Sequence, residues 1–353
     1  MKYLKKTLLL SVALVINVTL FAQQPYYNGV NFSLTGAALK TELANKITTT
    51  HTSLLTYSNV WIELKITDLD PSNSNNVLLL YGYNDTDGSV TNDRTRDKND
   101  NGGNLGDWNR EHTFAQSLAT PSMSTSSPNA GTDAHHLRSS DVQMNGSRGN
   151  KKFATGTGNA GSVGSSWYPG DEWKGDVARM MMYMYLRYPS QCIPTNVGTG
   201  STVSLDDMLT LFISWNVEDP VSTYEEQRNA RLETSQGNRN PFIDNPYLAT
   251  AIWGGMDAEN TWPWTVSITE KEANNSFLVY PTPSNTGNVN VFFDDTEEVN
   301  LLTIYTINGQ LVRSIVNPNF ENNEFIISGL SEGFFILKAL IGNDLLIKKV
   351  VVN

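Results

Sequence analysis

The sequence predicts an α+β protein in two parts, a mixed helix-and-strand region followed by a small all-β antiparallel sandwich. Three observations carry this expectation. The run "LTGAALKTELANKI" repeats its apolar residues at helical spacing. Apolar stretches alternate with long polar loops up to about residue 255. From about residue 276 the texture changes to short apolar runs ("FLVYP", "NVNVFF", "LLTIYTINGQLVRSIV", "NEFIISGL", "GFFILKAL", "LLIKKVVV") separated by turn signals at regular intervals.

Residues 1–22 precede the folded part. Lys2, Lys5 and Lys6 open a basic start, an apolar run from Leu8 to Phe21 follows, and Ala22 supplies a small residue for cleavage. This reads as a secretory signal peptide, too short and interrupted for a membrane anchor. No later apolar run is long enough to span a bilayer, and export through the periplasm to the cell surface or medium is expected. Cys192 is the only cysteine, so no intrachain disulfide can staple the fold. The 39% hydrophobic content and eight Trp supply enough apolar material for two domains without one.

In the mixed region, residues 23–255, "NVWIELKI" and "NVLLLYGY" read as strands, and "GDVARMMMYMYLRY" as a Met-rich core helix with Arg179 and Arg187 in one register. Residues 256–275 read as a linker and 276–353 as the sandwich. A net charge of −11 argues against nucleic-acid binding by the chain taken whole. From Asp93 to Lys152, however, eight basic residues meet seven acidic ones, so this segment is nearly neutral within an acidic protein. Three of the four histidines, His112, His135 and His136, fall within it.

The last module, with "VYPTPS", "IYTINGQLV" around Gly309, "LSEGFFILK" around Gly333 and the closing "IKKVVVN", resembles the C-terminal sorting domains of proteins exported by the type IX secretion system. Thr282 stands where that pattern usually has Asn. The resemblance implies the type IX secretion machinery as a partner.

The central segment holds "NREH", then "TDAHHLRSSDVQMNGSRGN", then "WNVEDPVSTYEEQRN" and "QGNRNPFIDNPYLATAIWG". Together and in this order these resemble the secreted endonuclease I family, whose fold is the ββα-metal, or His-Me finger. The resemblance implies a metal-dependent, largely sequence-nonspecific hydrolysis of phosphodiesters in DNA, and in RNA as well, to 5′-phosphate products. It assigns Glu111 and Asn145 as ligands of a divalent metal, Mg²⁺ first with Mn²⁺ or Ca²⁺ as alternatives, and His112 as general base. The chemistry suits those residue types. A hard cation takes oxygen ligands and retains waters, so two side chains suffice, and an imidazole titrates near working pH.

If "NREH" is extended, Glu111 and His112 point to opposite faces. Alternation along "AHHLRSSDVQ" places His135 with Leu137 and His136 with Arg138. One of the two histidines is then structural and the other faces the metal or supports a ligand from behind, with the choice open. The resemblance has Asn145 open a helix with Arg148 and Lys152 along one side. Arg138 and Arg148 are the candidates for gripping phosphates, with Lys151 and Lys152 read as solvated.

Other features take a plain reading. "DKNDNG" (Asp97, Asn99, Asn101, Gly102) begins like a Ca²⁺ loop, but Trp108 occupies the closing position that Glu should fill. Arg239, Asn240 and Asp244 fit a turn held by its own side chains, and "GTGNAGSVG" lacks the ending of a phosphate cradle. The expectation is therefore a secreted, monomeric nuclease. The alternatives are a surface protein that binds nucleic acid or glycan without catalysis.

Overall fold

Leu39, Leu43 and Ile47 are buried at four-residue spacing along α1 (Gly36–Thr50), the helix expected near the start. The computed structural model describes residues 24–204, 206–262, 277–293, 299–307, 310–341 and 344–353. The signal peptide, Gly309 and linker residues 263–275 lie outside the described residues. Contacts divide the chain into two compact units, Met1–Val266 and Ser267–Asn353. No helix among the described residues is long and apolar enough to cross a membrane.

After α1 come α2 (Tyr57–Thr67), β1 (Leu69–Asp70), β2 (Asn73–Leu78), β3 (Thr95–Asp97), β4 (Trp108–His112), β5 (Leu137–Asp141) and α3 (Val142–Arg148). Then follow β6 (Gly161–Val163), β7 (Ser166–Tyr168), α4 (Lys174–Arg187), α5 (Pro194–Val197), α6 (Thr210–Glu218), α7 (Thr223–Gln236), α8 (Pro241–Asp244) and α9 (Tyr247–Trp253). The strand expected at "NVWIELKI" is instead α2. Thr56 caps it by accepting from the Asn59 amide at 3.2 Å, and Val60, Leu64 and Thr67 are buried along one side. "NVLLLYGY" is a strand only in its first part. Past Leu78 the chain turns through Tyr81, which adopts φ 77°.

The core of the first unit gathers on α4, which is buried from Gly175 to Leu186, as its Met-rich sequence led one to expect. A smaller cluster of Val60, Leu64, Val77, Leu79, Trp108 and Leu137 seats α2 against the β4–β5 pair. α7 opens with a reciprocal cap between Ser222 and Glu225 and ends at Gly237 (φ 90°). A side chain at Gly237 would also strike the Thr50 carbonyl. Met256–Trp262, the first part of the expected linker, is folded: Trp262 is buried 5.0 Å from the Tyr27 ring, and the Glu259 carbonyl accepts from the Tyr247 amide at 3.0 Å.

The second unit contains β8 (Phe277–Tyr280), β9 (Val289–Phe293), β10 (Val299–Thr306), β11 (Leu311–Val316), β12 (Glu324–Ile327), β13 (Gly333–Ile341) and β14 (Asp344–Val352). They form two antiparallel sheets, β11-β10-β13-β14 and β12-β9-β8. Alternating residues of both, such as Val289, Val291, Leu302, Ile304, Leu337 and Ala339, share one core.

Candidate active site

β4 and β5 pair antiparallel, with Glu111 opposite Arg138 and His112 opposite Leu137, and α3 follows β5 directly. Asp141 caps α3 by accepting from the Gln143 and Met144 amides at 2.8 and 3.0 Å. Asn145 therefore lies inside the helix rather than opening it. Lys152 lies beyond the helix end and donates to the Thr195 carbonyl at 2.8 Å.

Alternation along β4 divides the site. Asn109 and Glu111 face α3: Asn145 Nδ2 donates to Asn109 Oδ1 at 2.6 Å, and Arg148 Nη1 donates to Glu111 Oε1 at 3.0 Å. Trp108, Arg110 and His112 face α2: Trp108 packs on Trp61 at 5.2 Å, Arg110 lies over Tyr57 and Trp61, and the His112 ring lies 5.6 Å from Tyr57.

Glu111 is buried. Its Oε1 also accepts from the Tyr81 hydroxyl at 2.9 Å, and both of its side-chain hydrogen bonds among the described residues fall on Oε1, none on Oε2. Burial raises its carboxyl pKa to about 7, a shift that Arg148 and Tyr81 only partly offset. This carboxylate is thus under-neutralised. With Asn145 Nδ2 donating to Asn109, the Asn145 side-chain oxygen is the atom of the amide left to ligate a cation. This oxygen and the Glu111 carboxylate are both oxygen ligands of the kind a hard divalent cation takes. Among the described residues no three His, Cys, Asp or Glu side chains gather as a metal cluster.

His112 Nε2 lies 2.8 Å from the Gly131 carbonyl and must carry the proton there, which leaves Nδ1 as the basic nitrogen. Gln116 Nε2 approaches Nδ1 at 3.2 Å. Burial, with His136, Arg110 and Arg148 nearby, lowers the His112 pKa to about 3, so the ring is neutral at ordinary pH and does not titrate near working pH as the free imidazole value suggested.

The two remaining histidines of the segment sit in a single 3-10 turn, Ala134–His136, before β5 begins, so strand alternation does not govern them. His136 lies 5.5 Å from the His112 ring and bonds the Ala130 carbonyl through Nε2 at 2.8 Å, one residue from the carbonyl that holds His112. His135 points elsewhere, stacked 4.2 Å from Tyr183 with Nε2 at 3.2 Å from Asn238. Buried Asp133 braces this turn, accepting from the His135 amide at 3.0 Å, from the Tyr183 and Tyr188 hydroxyls at 2.9 and 3.1 Å, and from Gln236 at 3.0 Å. His51 Nδ1 lies 3.7 Å from Asp133, but burial lowers the His51 pKa and the contact is no ion pair at neutral pH.

The two arginines expected to meet phosphate are both enclosed. Arg138 lies between Asp176 at 3.0 Å and Asp68 at 3.8 Å, under the Tyr224 ring. Arg148 is spent on Glu111 and on the carbonyls of His112 and Thr113 at 2.9 and 2.8 Å. Each is held by groups that a buried guanidinium must have, and neither reaches the surface. Arg239 likewise pairs with Asp244 and with Glu233, as the plain turn reading anticipated. Arg110, Tyr57, Tyr81 and the Gly131 carbonyl went unnoticed in the sequence. Arg110 alone had a signal, since it stands two residues before His112 on one strand face.

The Endonuclease I family model matches residues 35–247, and the model of the secretion system C-terminal sorting domain matches residues 278–353. The chain is 43% identical over 241 residues to the extracellular ribonuclease of Bacillus subtilis (strain 168), an alignment covering 65% of this chain and 78% of that protein. It is also 43% identical over 231 residues to the extracellular ribonuclease of Bacillus amyloliquefaciens, covering 62% and 74%. The chain therefore belongs to the endonuclease I family and is a secreted or cell-surface nuclease with a C-terminal secretion-sorting domain.

Proposed function

We propose that β4, β5 and α3 act as a ββα-metal finger, and that the protein hydrolyses phosphodiester bonds of both RNA and DNA with little regard for sequence, leaving 5′-phosphate ends. One observation carries the reading: consecutive residues present a carboxylate oxygen with no hydrogen-bond partner among the described residues, on Glu111, and an imidazole whose Nδ1 is left as its basic nitrogen, on His112. RNA is included because both relatives bear the name extracellular ribonuclease.

Glu111 and Asn145 would hold a divalent cation, Mg²⁺ by the oxygen chemistry of the pair. When bound, it neutralises charge building on the phosphate oxygens and on the leaving oxygen. His112 Nδ1 takes the proton of the attacking water while Nε2–H stays on the Gly131 carbonyl, which fixes both tautomer and ring direction. Gln116 must turn aside for that water to reach Nδ1. Arg148 holds Glu111 in place from behind.

Cleavage of plasmid DNA and of a long RNA, in EDTA and after restoring Mg²⁺, Mn²⁺ or Ca²⁺, tests this reading. Both substrates should be cut only with metal, and end-labelling should find 5′-phosphates. Cutting of RNA alone in EDTA, with cyclic 2′,3′-phosphate ends, would mean that the ribose hydroxyl attacks and that the metal-and-histidine reading is wrong.

A further inference from the structure

With Arg138 and Arg148 enclosed, the site described above lacks an arginine open to substrate, and Lys151 and Lys152 both donate to backbone carbonyls. Arg110 differs from all of these. It stands two residues before His112 on the same face of β4, about 7 Å along the strand. Its guanidinium carbon is 3.4 Å from the centre of the Tyr57 ring and 4.2 Å from that of Trp61. The His112 ring centre lies 5.6 Å from the same Tyr57 ring, tilted by 35°. Tyr57 therefore contacts both Arg110 and His112.

The charge of Arg110 is unbalanced. Among the described residues no carboxylate forms an ion pair with it, although most arginines around it have one. Nη1 donates to the Tyr57 carbonyl, Nε is enclosed without a partner, and Nη2 has no partner and is not enclosed. No carboxylate repays the desolvation of this half-buried guanidinium, which rests on one backbone carbonyl and the faces of two rings. A stacked guanidinium exposes its planar edge, the part that matches a phosphate. In a chain of net charge −11, such a cation beside the base is a selective point for an anion.

We propose that Arg110, clamped between Tyr57 and Trp61, holds a backbone phosphate of the nucleic-acid strand next to the bond attacked at His112. The inference rests on the nuclease reading for its substrate and on His112 for the place of the bond attacked, but not on the metal ligands. The clamp sets where the strand lies without reading a base, which accords with low sequence preference.

The test is equilibrium binding of a fluorescein-labelled DNA duplex to the full chain in EDTA, by anisotropy, across 50 to 200 mM NaCl. One phosphate contact contributes about 0.9 to the slope of log K against log salt, so wild type should lose about 3.5-fold more affinity over that range than Arg110→Met. Arg110→Lys should keep the wild-type slope while binding more weakly, since it retains charge and loses the stacked plane. An unchanged slope in Arg110→Met, with a lowered melting temperature, would make Arg110 only a strut between β4 and α2 and overturn the proposal. If Arg110→Met does not fold, side-chain ¹⁵N spectra of wild type decide: the Arg110 guanidinium signals should shift on adding duplex, and signals that stay in place refute the contact. Failure of wild type to cut after metal is restored, with the slope difference between wild type and Arg110→Met present, would count against the metal reading and not against this phosphate contact.

Discussion

Arg148 Nη1 lies 3.0 Å from Glu111 Oε1, and both side chains are enclosed by protein. This pair joins α3 to β4 at the point where the nuclease chemistry is proposed. Removing Arg148 would strand a buried carboxylate and two carbonyls. Arg148→Met should therefore cost about 3–5 kcal/mol in urea unfolding of the metal-free protein, and adding Glu111→Gln should recover part of that loss. An Arg148→Met variant with unchanged stability but a shallower salt dependence of DNA binding would instead mean that Arg148 meets phosphate.

Burial lowers the pKa of His135 to about 4, although Asp133 pulls it the other way. The unfolded chain takes up this proton near pH 6.5. The contribution of neutral His135 is thus complete above that pH and lost as pH falls from 6.5 to 4, on the order of 2–3 kcal/mol. Glu111, with its raised pKa, acts in the opposite direction, so the comparison needs a variant. The stability gap between wild type and His135→Asn, from urea unfolding, should narrow by that amount from pH 7 to pH 4. Asp133 stays ionised across this window, because its pKa is held below the usual carboxylate range by His51, His135 and Gln236 despite its burial. A gap independent of pH would contradict a neutral, buried His135.

Deleting residues 276–353 removes no residue of the proposed site. The purified truncated protein should cut DNA and RNA at the wild-type rate to within about twofold, well inside the roughly hundredfold effect of losing a general base. In a host with a type IX system it should stall in the periplasm. Loss of cleavage by a truncated protein whose melting is unchanged would bring the sandwich into substrate binding.

The sandwich was legible because alternation and turn signals recur along it, and Val289, Val291, Leu302 and Ile304 do turn inward. The opposite faces of Glu111 and His112 were legible for the same reason. α2 was not, because Val60, Ile62 and Ile66 are β-branched and hid a helical burial pattern that Thr56 begins. Nor could the chain order reveal that Asp68, Asp176 and Glu111 converge on Arg138 and Arg148. Which cations are spent on buried carboxylates depends on distant contacts, and that is why Arg110 was passed over for two arginines that the fold encloses.

In the proposed mechanism two neighbours divide the work, Glu111 serving the cation and His112 the proton. Calorimetry of Mn²⁺ binding to His112→Ala, beside single-turnover cleavage by the same protein, tests that division most directly. His112→Ala should keep near-wild-type Mn²⁺ affinity and cleave at least about a hundredfold more slowly, while Glu111→Ala should lose affinity and cleavage together. Loss of Mn²⁺ binding in His112→Ala would make the imidazole a ligand and contradict its assignment as the base.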